Sequence, residues 1–232
     1  GDVYKRHVGL CGLIFLLSLG TTAFVIGVAL VVTSVSSNFA GSSIFERIPA
    51  SALLLLVACS GLFNDFRLSA LILAAALVST PLIAAIGERG STSLLLQTAR
   101  ILGGWLPASI AASSLITLAV RDASSAGLLL VLIFFHDLGL ELCGSGRPRH
   151  QFAPVVAIGG SLALLWTSVQ LSVSSISPNQ YWVFACVLSV AILLGRLMMR
   201  LLVSRDGQRT SLLASHVVVA PLWTAVQVAL NL

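Results

Sequence analysis

Charged residues are scarce in this chain of 232 residues: they make up 9% of it, against 57% hydrophobic residues. A soluble domain carries roughly 25% charged residues, so this chain has too little polar material to cover a water-exposed surface. Lipid must therefore cover most of the molecule. The length suits one bundle of helices, a single transmembrane domain over 1–232. We expect an all-α, polytopic integral membrane protein of a bacterial inner membrane or an organelle membrane.

The chain has only one lysine, and several common catalytic and metal-binding motifs are absent from it. Lys5 is the only lysine, and the other cations are arginines spread between apolar runs. Nucleic-acid binding needs a clustered basic face, which this spacing does not provide, so no nucleic-acid partner is expected. The sequence contains no CxxC, GxxxxGK[ST], GxSxG or HExxH motif. Membrane lipids and other membrane-protein subunits are the partners that the composition leaves.

Apolar runs bounded by charges or turn residues predict a bundle of about eight transmembrane helices, because about 20 apolar residues cross the hydrocarbon core. The predicted spans are 8–32, 50–63, 68–87, 101–120, 126–143, 152–173, 181–203 and 211–230. Gly103, Gly104 and Pro107 are predicted to interrupt the fourth span. The chain begins at Gly1 and not at a methionine, so we expect an upstream segment that has been cleaved or that lies outside the given residues.

The cations predict an orientation because cytoplasmic loops are enriched in Lys and Arg. With eight spans, one side of the membrane holds Arg47, Arg89, Arg100, Arg147, Arg149, Arg205 and Arg209. The other side holds Lys5, Arg6, Arg67 and Arg121. We expect the first side to face the cytoplasm, or the matrix or stroma of an organelle.

The stretch 131–154 concentrates ionisable groups that membrane proteins rarely keep without a use. Asp137 is the candidate catalytic residue, and Glu141 lies one helical turn after it. Together the two carboxylates are candidate ligands for a hard cation such as Mg²⁺. The alternative is an interfacial Asp137 paired with an arginine of a neighbouring helix, with Glu141 solvated.

A second group of residues has the chemistry of phosphate or lipid-head-group binding, since arginine binds phosphate through two parallel N–H bonds. The candidates are Arg147, Arg149, His150, Arg196 and Arg200. The alternative is a positive-inside loop for the first three and snorkelling side chains for the other two.

The order of these features resembles the CDP-diacylglycerol synthase (phosphatidate cytidylyltransferase) family. In that family a span ends in D-x-x-A-Y-x-x-G and a G-[KR]-[HK]-x-x-x-P loop follows. Asp137 takes the place of the motif Asp, and 146–154 (GRPRHQFAP) looks like the loop. The last span, at 211–226 (SLLASHVVVAPLWTAV), is similar to the family's last helix, and 121–232 is the most family-like part. The resemblance implies Mg²⁺-dependent cytidylyl transfer from CTP to phosphatidate.

Departures from the family pattern argue against that activity. The family's S-P-K-K-[ST]-x-E-G segment is absent, and Arg196 stands at the acidic position of its G-D-x-x-[EK]-S-x-x-K-R block. Nucleotidyl transfer needs cations held against the triphosphate, and losing one such contact costs ~10²-fold or more in rate.

We therefore expect a cytidylyltransferase-like protein that is catalytically inactive. It would serve as an accessory or structural subunit of a membrane complex, with no cofactor apart from a possible bound phospholipid. One alternative is an active phosphatidate cytidylyltransferase that uses Mg²⁺. The second is a small transporter or channel subunit.

Overall fold

The computed structural model describes residues 2–38, 44–87, 93–144, 152–206 and 217–230, and every element within them is helical. The helices are α1 Asp2–Leu19, α2 Thr21–Asn38, α3 Ile44–Ser60, α4 Phe66–Gly87, α5 Leu94–Arg121, α6 Ala123–Gly144, α7 Ala153–Gln170, α8 Tyr181–Asp206 and α9 Val219–Ala229. Two short 3₁₀ turns, Gly61–Phe63 and Pro178–Gln180, complete the described elements. The prediction of an all-α bundle is confirmed, and the predicted number of about eight spans is close to the number of helices described.

Six stretches of the described helices are long and apolar enough to cross a membrane. They are Phe45–Phe63, Phe66–Ile86, Leu94–Arg121, Ala123–Cys143, Ala153–Gln170 and Pro178–Leu197. At about 1.5 Å per residue these stretches measure ~27–42 Å, against ~30 Å for a hydrocarbon core. The chain is an integral, multi-pass membrane protein.

The first predicted span, 8–32, is wrong because the chain reverses direction at Gly20. Gly20 has φ +126°, a conformation that residues with a Cβ rarely adopt. α1 and α2 then pack side by side, since a Cβ added at Gly27 would overlap Cδ1 of Leu16. In one continuous helix those two residues would be ~16 Å apart. The apolar run therefore forms a helical hairpin.

Other boundaries also differ from the prediction. α2 and α3 both extend into the predicted connector 34–49, and α5 begins inside the predicted connector 88–100. The predicted interruption at Gly103, Gly104 and Pro107 is wrong, because α5 runs through all three residues. Core packing explains this continuity, since α5 buries side chains on both sides of the glycines. These include Ile101, Trp105, Ala108 and Ala112.

Contacts between helix termini define two ends of the bundle. At the first, which we call the Asp122 end, Asp122 joins α5 to α6, and Gln227 near the end of α9 donates to it. At the second, the Glu141 end, Glu141 near the end of α6 lies 3.6 Å from His7 near the start of α1. α3 and α5 also begin at the Glu141 end, where a hydrogen bond joins their first turns. Successive helices therefore alternate in direction.

This alternation makes the cation distribution strongly asymmetric. The half of the bundle at the Glu141 end carries Lys5, Arg6, Arg47, Arg100, Arg196, Arg200 and Arg205 on described helices. The Asp122 end carries Arg67 and Arg121. Arg89, Arg147, Arg149 and Arg209 lie outside the described residues.

The predicted placement of Lys5 and Arg6 on the less basic side is wrong. The reversal at Gly20 puts the start of α1 and the end of α2 at one end of the bundle, and the contact of His7 with Glu141 identifies it as the Glu141 end. The positive-inside rule then predicts that the Glu141 end faces the cytoplasm, or the equivalent compartment of an organelle.

Candidate functional site

The two predicted carboxylates of α6 have different surroundings. Asp137 is buried beside His136, whose Nδ1 lies 3.7 Å from Oδ1 of Asp137. Glu141 is more open, with 44% of its side chain exposed, and its Oε2 lies 3.6 Å from Nδ1 of His7 in α1. The ring of His7 also packs edge-on against Phe134, at 5.1 Å between centroids. Glu141 thus faces the α1 side of the bundle.

The position of Asp137 along α6 places its carboxyl group within the membrane. The residue lies ~21 Å along the helix from Ala123 and ~10 Å from Gly144. The preceding turns of α6 are apolar, and Leu129, Leu130 and Leu132 are buried. A carboxyl group at this depth is costly unless it is compensated, which marks His136 and Asp137 as the most unusual pair of the described core.

α7 packs closely on α6 at the level of this pair. A Cβ added at Gly139 would lie 3.0 Å from Cα of Ala157, so the two backbones are almost in contact. Ser161 of α7 donates a hydrogen bond to the carbonyl oxygen of Leu132 at 3.3 Å. Small residues and hydroxyl groups are the usual means of bringing membrane helices together. α7 contributes no ionisable side chain to this contact.

The described residues fit a metal ion only in part. They contain no group of three or more His, Cys, Asp or Glu side chains that could hold one. Mg²⁺ often takes one or two carboxylates and completes its octahedron with water and substrate phosphates, so Asp137 and Glu141 supply the minimum number of acids. The contact of Glu141 with His7 competes with that use. The Mg²⁺ site stays a prediction.

Of the predicted phosphate-binding side chains, the structure describes that of Arg196. Arg147, Arg149 and His150 lie outside the described residues, as does the side chain of Arg200. Arg196 is half-buried on α8. It lies ~22 Å along its helix from the Asp122 end, close to the ~21 Å of Asp137. A cation and a carboxylate therefore occupy one depth of the bundle, and the phosphate site itself stays a prediction.

Sequence reasoning missed a polar cluster at the opposite end. Asp122 caps the start of α6, where its Oδ1 accepts hydrogen bonds from the backbone N–H groups of Ser124 at 3.0 Å and Ser125 at 3.2 Å. Its Oδ2 accepts from the hydroxyl of Ser175, after α7, and from Nε2 of Gln227 in α9 at 3.3 Å. One carboxylate thus joins three separate parts of the chain.

The protonation of Asp122 follows from these contacts. Partial burial raises the pKa of the carboxyl group, but hydrogen bonds from the side chains of Ser124, Ser175 and Ser125 outweigh it and lower the pKa to about 2. The group is therefore ionised at neutral pH. The sequence Asp-Ala-Ser-Ser at 122–125 is a recognisable N-cap signal, whereas nothing local points to Ser175 or Gln227.

A buried acid at the Glu141 end was also missed. Glu46, assigned by the sequence to a connector, lies in the first turn of α3 with 6% of its surface exposed. Nε2 of Gln97 in α5 donates to its Oε1 at 2.6 Å. The hydrogen bond compensates the buried carboxylate and links the first turns of the two helices.

Aromatic side chains mark the membrane boundary at the Asp122 end. Trp166 packs edge-on against Tyr181 at 4.9 Å, and Tyr181 against Trp182 at 5.0 Å. Trp182 is 70% exposed. Trp and Tyr concentrate at membrane interfaces, so this group places the first turn of α8 near the lipid head groups.

No protein-family model matches this chain, and none of the characterised proteins or solved structures compared with it is significantly similar. The resemblance noted in the sequence therefore rests on the residues that carry it, chiefly Asp137, the loop at 146–154 and the last span.

Proposed function

We propose that the chain is a membrane-embedded relative of the CDP-diacylglycerol synthases that has lost cytidylyl transfer. In this proposal it serves as an accessory or structural subunit of a membrane complex and associates with phospholipid. Asp137, the basic loop and the last span are what remains of the family pattern.

The surroundings of the two α6 carboxylates carry the proposal. Transfer of a nucleotidyl group needs metal ions held against the triphosphate, usually by more than one carboxylate. Asp137 lies beside His136, and Glu141 is directed to His7 of α1. The two acids that would share a cation therefore have different neighbours, which favours a structural use of both.

The position of Arg196 supports the same conclusion. It stands where the family pattern has an acidic residue, at about the depth of Asp137 along the bundle. An arginine at that position of the family pattern cannot serve as the second metal-binding carboxylate.

Turnover by the purified full-length chain tests the proposal. Pyrophosphate release would be measured in mixed micelles with CTP, phosphatidate and Mg²⁺, for the wild type, Asp137→Asn and Glu141→Gln. We expect all three to remain at the protein-free background. Each variant would first be checked for a cooperative unfolding transition, so that inactivity is not confused with misfolding.

The alternative, an active phosphatidate cytidylyltransferase, predicts a different pattern. The wild type would release pyrophosphate only when CTP and phosphatidate are both present. Asp137→Asn would reduce the rate by ~10²-fold or more while remaining folded. That result would overturn the proposed loss of activity.

A further inference from the structure

The polar cluster at the Asp122 end contains buried oxygen atoms that accept no hydrogen bond. Gln227 is 1% exposed, and its Nε2 donates to Oδ2 of Asp122 and to the hydroxyl of Ser125. An ionised carboxylate only accepts, so the amide turns its nitrogen to Asp122 and its oxygen away. That oxygen, Oε1, is buried and has no hydrogen-bond partner among the described residues. Oγ of Ser174, the residue before Ser175 of the cluster, is buried and unpartnered in the same way.

Asp122 brings a negative charge to this cluster. The group is ionised at neutral pH, and the ion pairs between residues that the structure describes do not include it. The adjacent cation, Arg121, is directed elsewhere. Its Nε donates to Asn64, and its Cζ lies 5.4 Å from the centroid of the Phe66 ring. The charge of Asp122 is therefore stabilised by hydrogen bonds and not by a paired cation.

Three helices end close to this carboxylate. Asp122 directly follows α5, Gln227 is in the last turn of α9, and Ser174 lies four residues after α7. The C-terminal end of a helix carries about half a negative charge and favours cations. α6 begins at Asp122 and contributes the opposite sign, which the carboxylate offsets. The local charge is therefore negative, and a cation would balance it.

The unpartnered oxygen of Gln227 is near enough to this charge for both to act on one ion. The nitrogen and oxygen of an amide share one carbon, so Oε1 lies within ~6 Å of Oδ2 of Asp122. An opposite charge has a strong effect at this separation. One carboxylate and neutral oxygens balance a single positive charge, whereas Ca²⁺ prefers six to eight oxygens with several carboxylates among them. Helix ends and neutral oxygens are also the groups that hold Na⁺ in membrane proteins.

We propose that this place, the Asp122–Gln227 site, binds one monovalent metal cation of the Na⁺ or K⁺ class. Oε1 of Gln227 is a direct ligand, and Asp122 supplies the balancing charge. Asp122 is half-buried, so the ion enters from the Asp122 end of the bundle and water completes its coordination. A bound ion would hold the ends of α5, α7 and α9 together. The site lies at the opposite end of α6 from Glu141 and does not depend on the proposed loss of cytidylyl transfer.

Thermal unfolding of the purified full-length protein tests the inference, because an ion that binds the folded state raises its Tm. Choline chloride would be replaced stepwise by sodium chloride, or by potassium chloride in a parallel series. The total salt stays constant, so screening does not change. We expect a saturable rise in Tm of roughly 5–10 °C with at least one of the two metal ions. This readout uses the wild type and needs no variant to fold.

Two substitutions locate the ion. Asp122→Asn removes the charge but keeps a capping side chain for α6, and Gln227→Leu removes Oε1 at similar size. We expect both to lose most of the ion-dependent rise in Tm, whatever their Tm in choline chloride. Asp65→Asn is the matched control, because Asp65 also caps a helix at this end, through the backbone N–H groups of Arg67 and Leu68. It should keep the full rise.

Three results would overturn the inference. The first is the same Tm in choline, sodium and potassium chloride. The second is a full ion-dependent rise in either Asp122→Asn or Gln227→Leu, which would place the ion elsewhere. The third is loss of the rise in Asp65→Asn, which would make it a general effect of negative charge at this end. None of these results would bear on pyrophosphate release, so the two proposals fail separately.

Discussion

Gln227 and Asp122 are 105 residues apart in the chain, and they are joined by a hydrogen bond of 3.3 Å from Nε2 of Gln227 to Oδ2 of Asp122. The same Nε2 lies 3.2 Å from the hydroxyl of Ser125. Gln227 is 1% exposed, so this polar contact is inside the bundle. It ties the end of α9 to the start of α6, and Ser175 adds the segment after α7.

Asp122→Ala should therefore destabilise more than the helix that it caps. Removing the carboxylate takes the charged acceptor from Gln227 and Ser175 and leaves them only the hydroxyl of Ser125. We expect the free energy of unfolding to fall by about 2–3 kcal/mol. Asp65→Ala is the control, because Asp65 caps α4 through a local hydrogen bond of 2.8 Å that the backbone N–H of Arg67 donates to its Oδ1. This substitution should lower the free energy of unfolding by only about 1 kcal/mol. Chemical unfolding of both variants in the same detergent would measure the two losses of free energy. Equal losses would contradict the role of Asp122 in joining α6, α9 and the segment after α7.

The depressed pKa of Asp122 predicts a pH dependence with a definite sign. The folded value of about 2 lies below the ordinary 3.8, so the folded state favours the ionised form. The resulting stability is fully present above pH 3.8 and is lost as the pH falls towards 2. The partly exposed position limits the effect to about 1 kcal/mol. Unfolding measured from pH 5 to pH 2 should show a smaller loss in Asp122→Ala than in the wild type, and identical pH profiles would count against the cluster.

The α6–α7 contact gives a prediction with an internal control. Gly139→Ala would place a Cβ 3.0 Å from Cα of Ala157, so the backbone of α7 would have to give by a few tenths of an ångström, and we expect a cost of about 1–3 kcal/mol. Gly160→Ala, on the outer side of α7, meets nothing within 4 Å and should be neutral or stabilising by up to about 1 kcal/mol. Thermal unfolding would compare the stability of both variants with that of the wild type. A Gly139→Ala variant as stable as the wild type would contradict the close contact between α6 and α7.

The bond between Gln97 and Glu46 predicts a pair of opposite outcomes. Gln97→Leu leaves a buried carboxylate without its donor, and we expect a loss of about 1–3 kcal/mol in the free energy of unfolding. Gln97→Leu combined with Glu46→Leu removes both polar groups and should recover part of that loss. A double-mutant cycle measures the coupling, and additive effects would mean that the two side chains do not interact.

Glycine interrupts a helix at one place in this sequence and not at another, and the sequence alone does not distinguish the two. The run 8–32 contains no charged residue and therefore predicts a single membrane-spanning helix, yet the chain reverses at Gly20. Gly103 and Pro107 gave a stronger signal for a break, yet α5 is continuous. Pro107 removes the donor to the carbonyl of Gly103, and tertiary packing on both sides of that point overrides the loss. Whether the helix continues depends on the helices against which the segments before and after the glycine can pack. The local sequence does not carry that information.

The candidate site shows a similar division. Sequence alone could single out Asp137, because a carboxylate within an apolar run is conspicuous. It paired Asp137 with Glu141 because the two are one turn apart, but Glu141 contacts His7, 134 positions earlier in the chain. The buried role of Glu46 was hidden for the same reason, since its partner Gln97 is on another helix. Spacing along one helix predicts a shared face, whereas the neighbours across that face depend on the whole bundle.

The alternation of the helices predicts which cysteines can be reached from each side of the membrane. Cys143 is exposed one residue before the end of α6, at the Glu141 end, and Asn179 is exposed between α7 and α8, at the Asp122 end. Two proteins with one cysteine each would be compared, one that keeps only Cys143 and one that carries only Asn179→Cys. An impermeant maleimide added to sealed, right-side-out vesicles should label Asn179→Cys at once. It should label Cys143 only after the vesicles are opened. The reverse pattern would contradict the orientation derived from the cations, and labelling of both from one side would contradict the alternation of the helices.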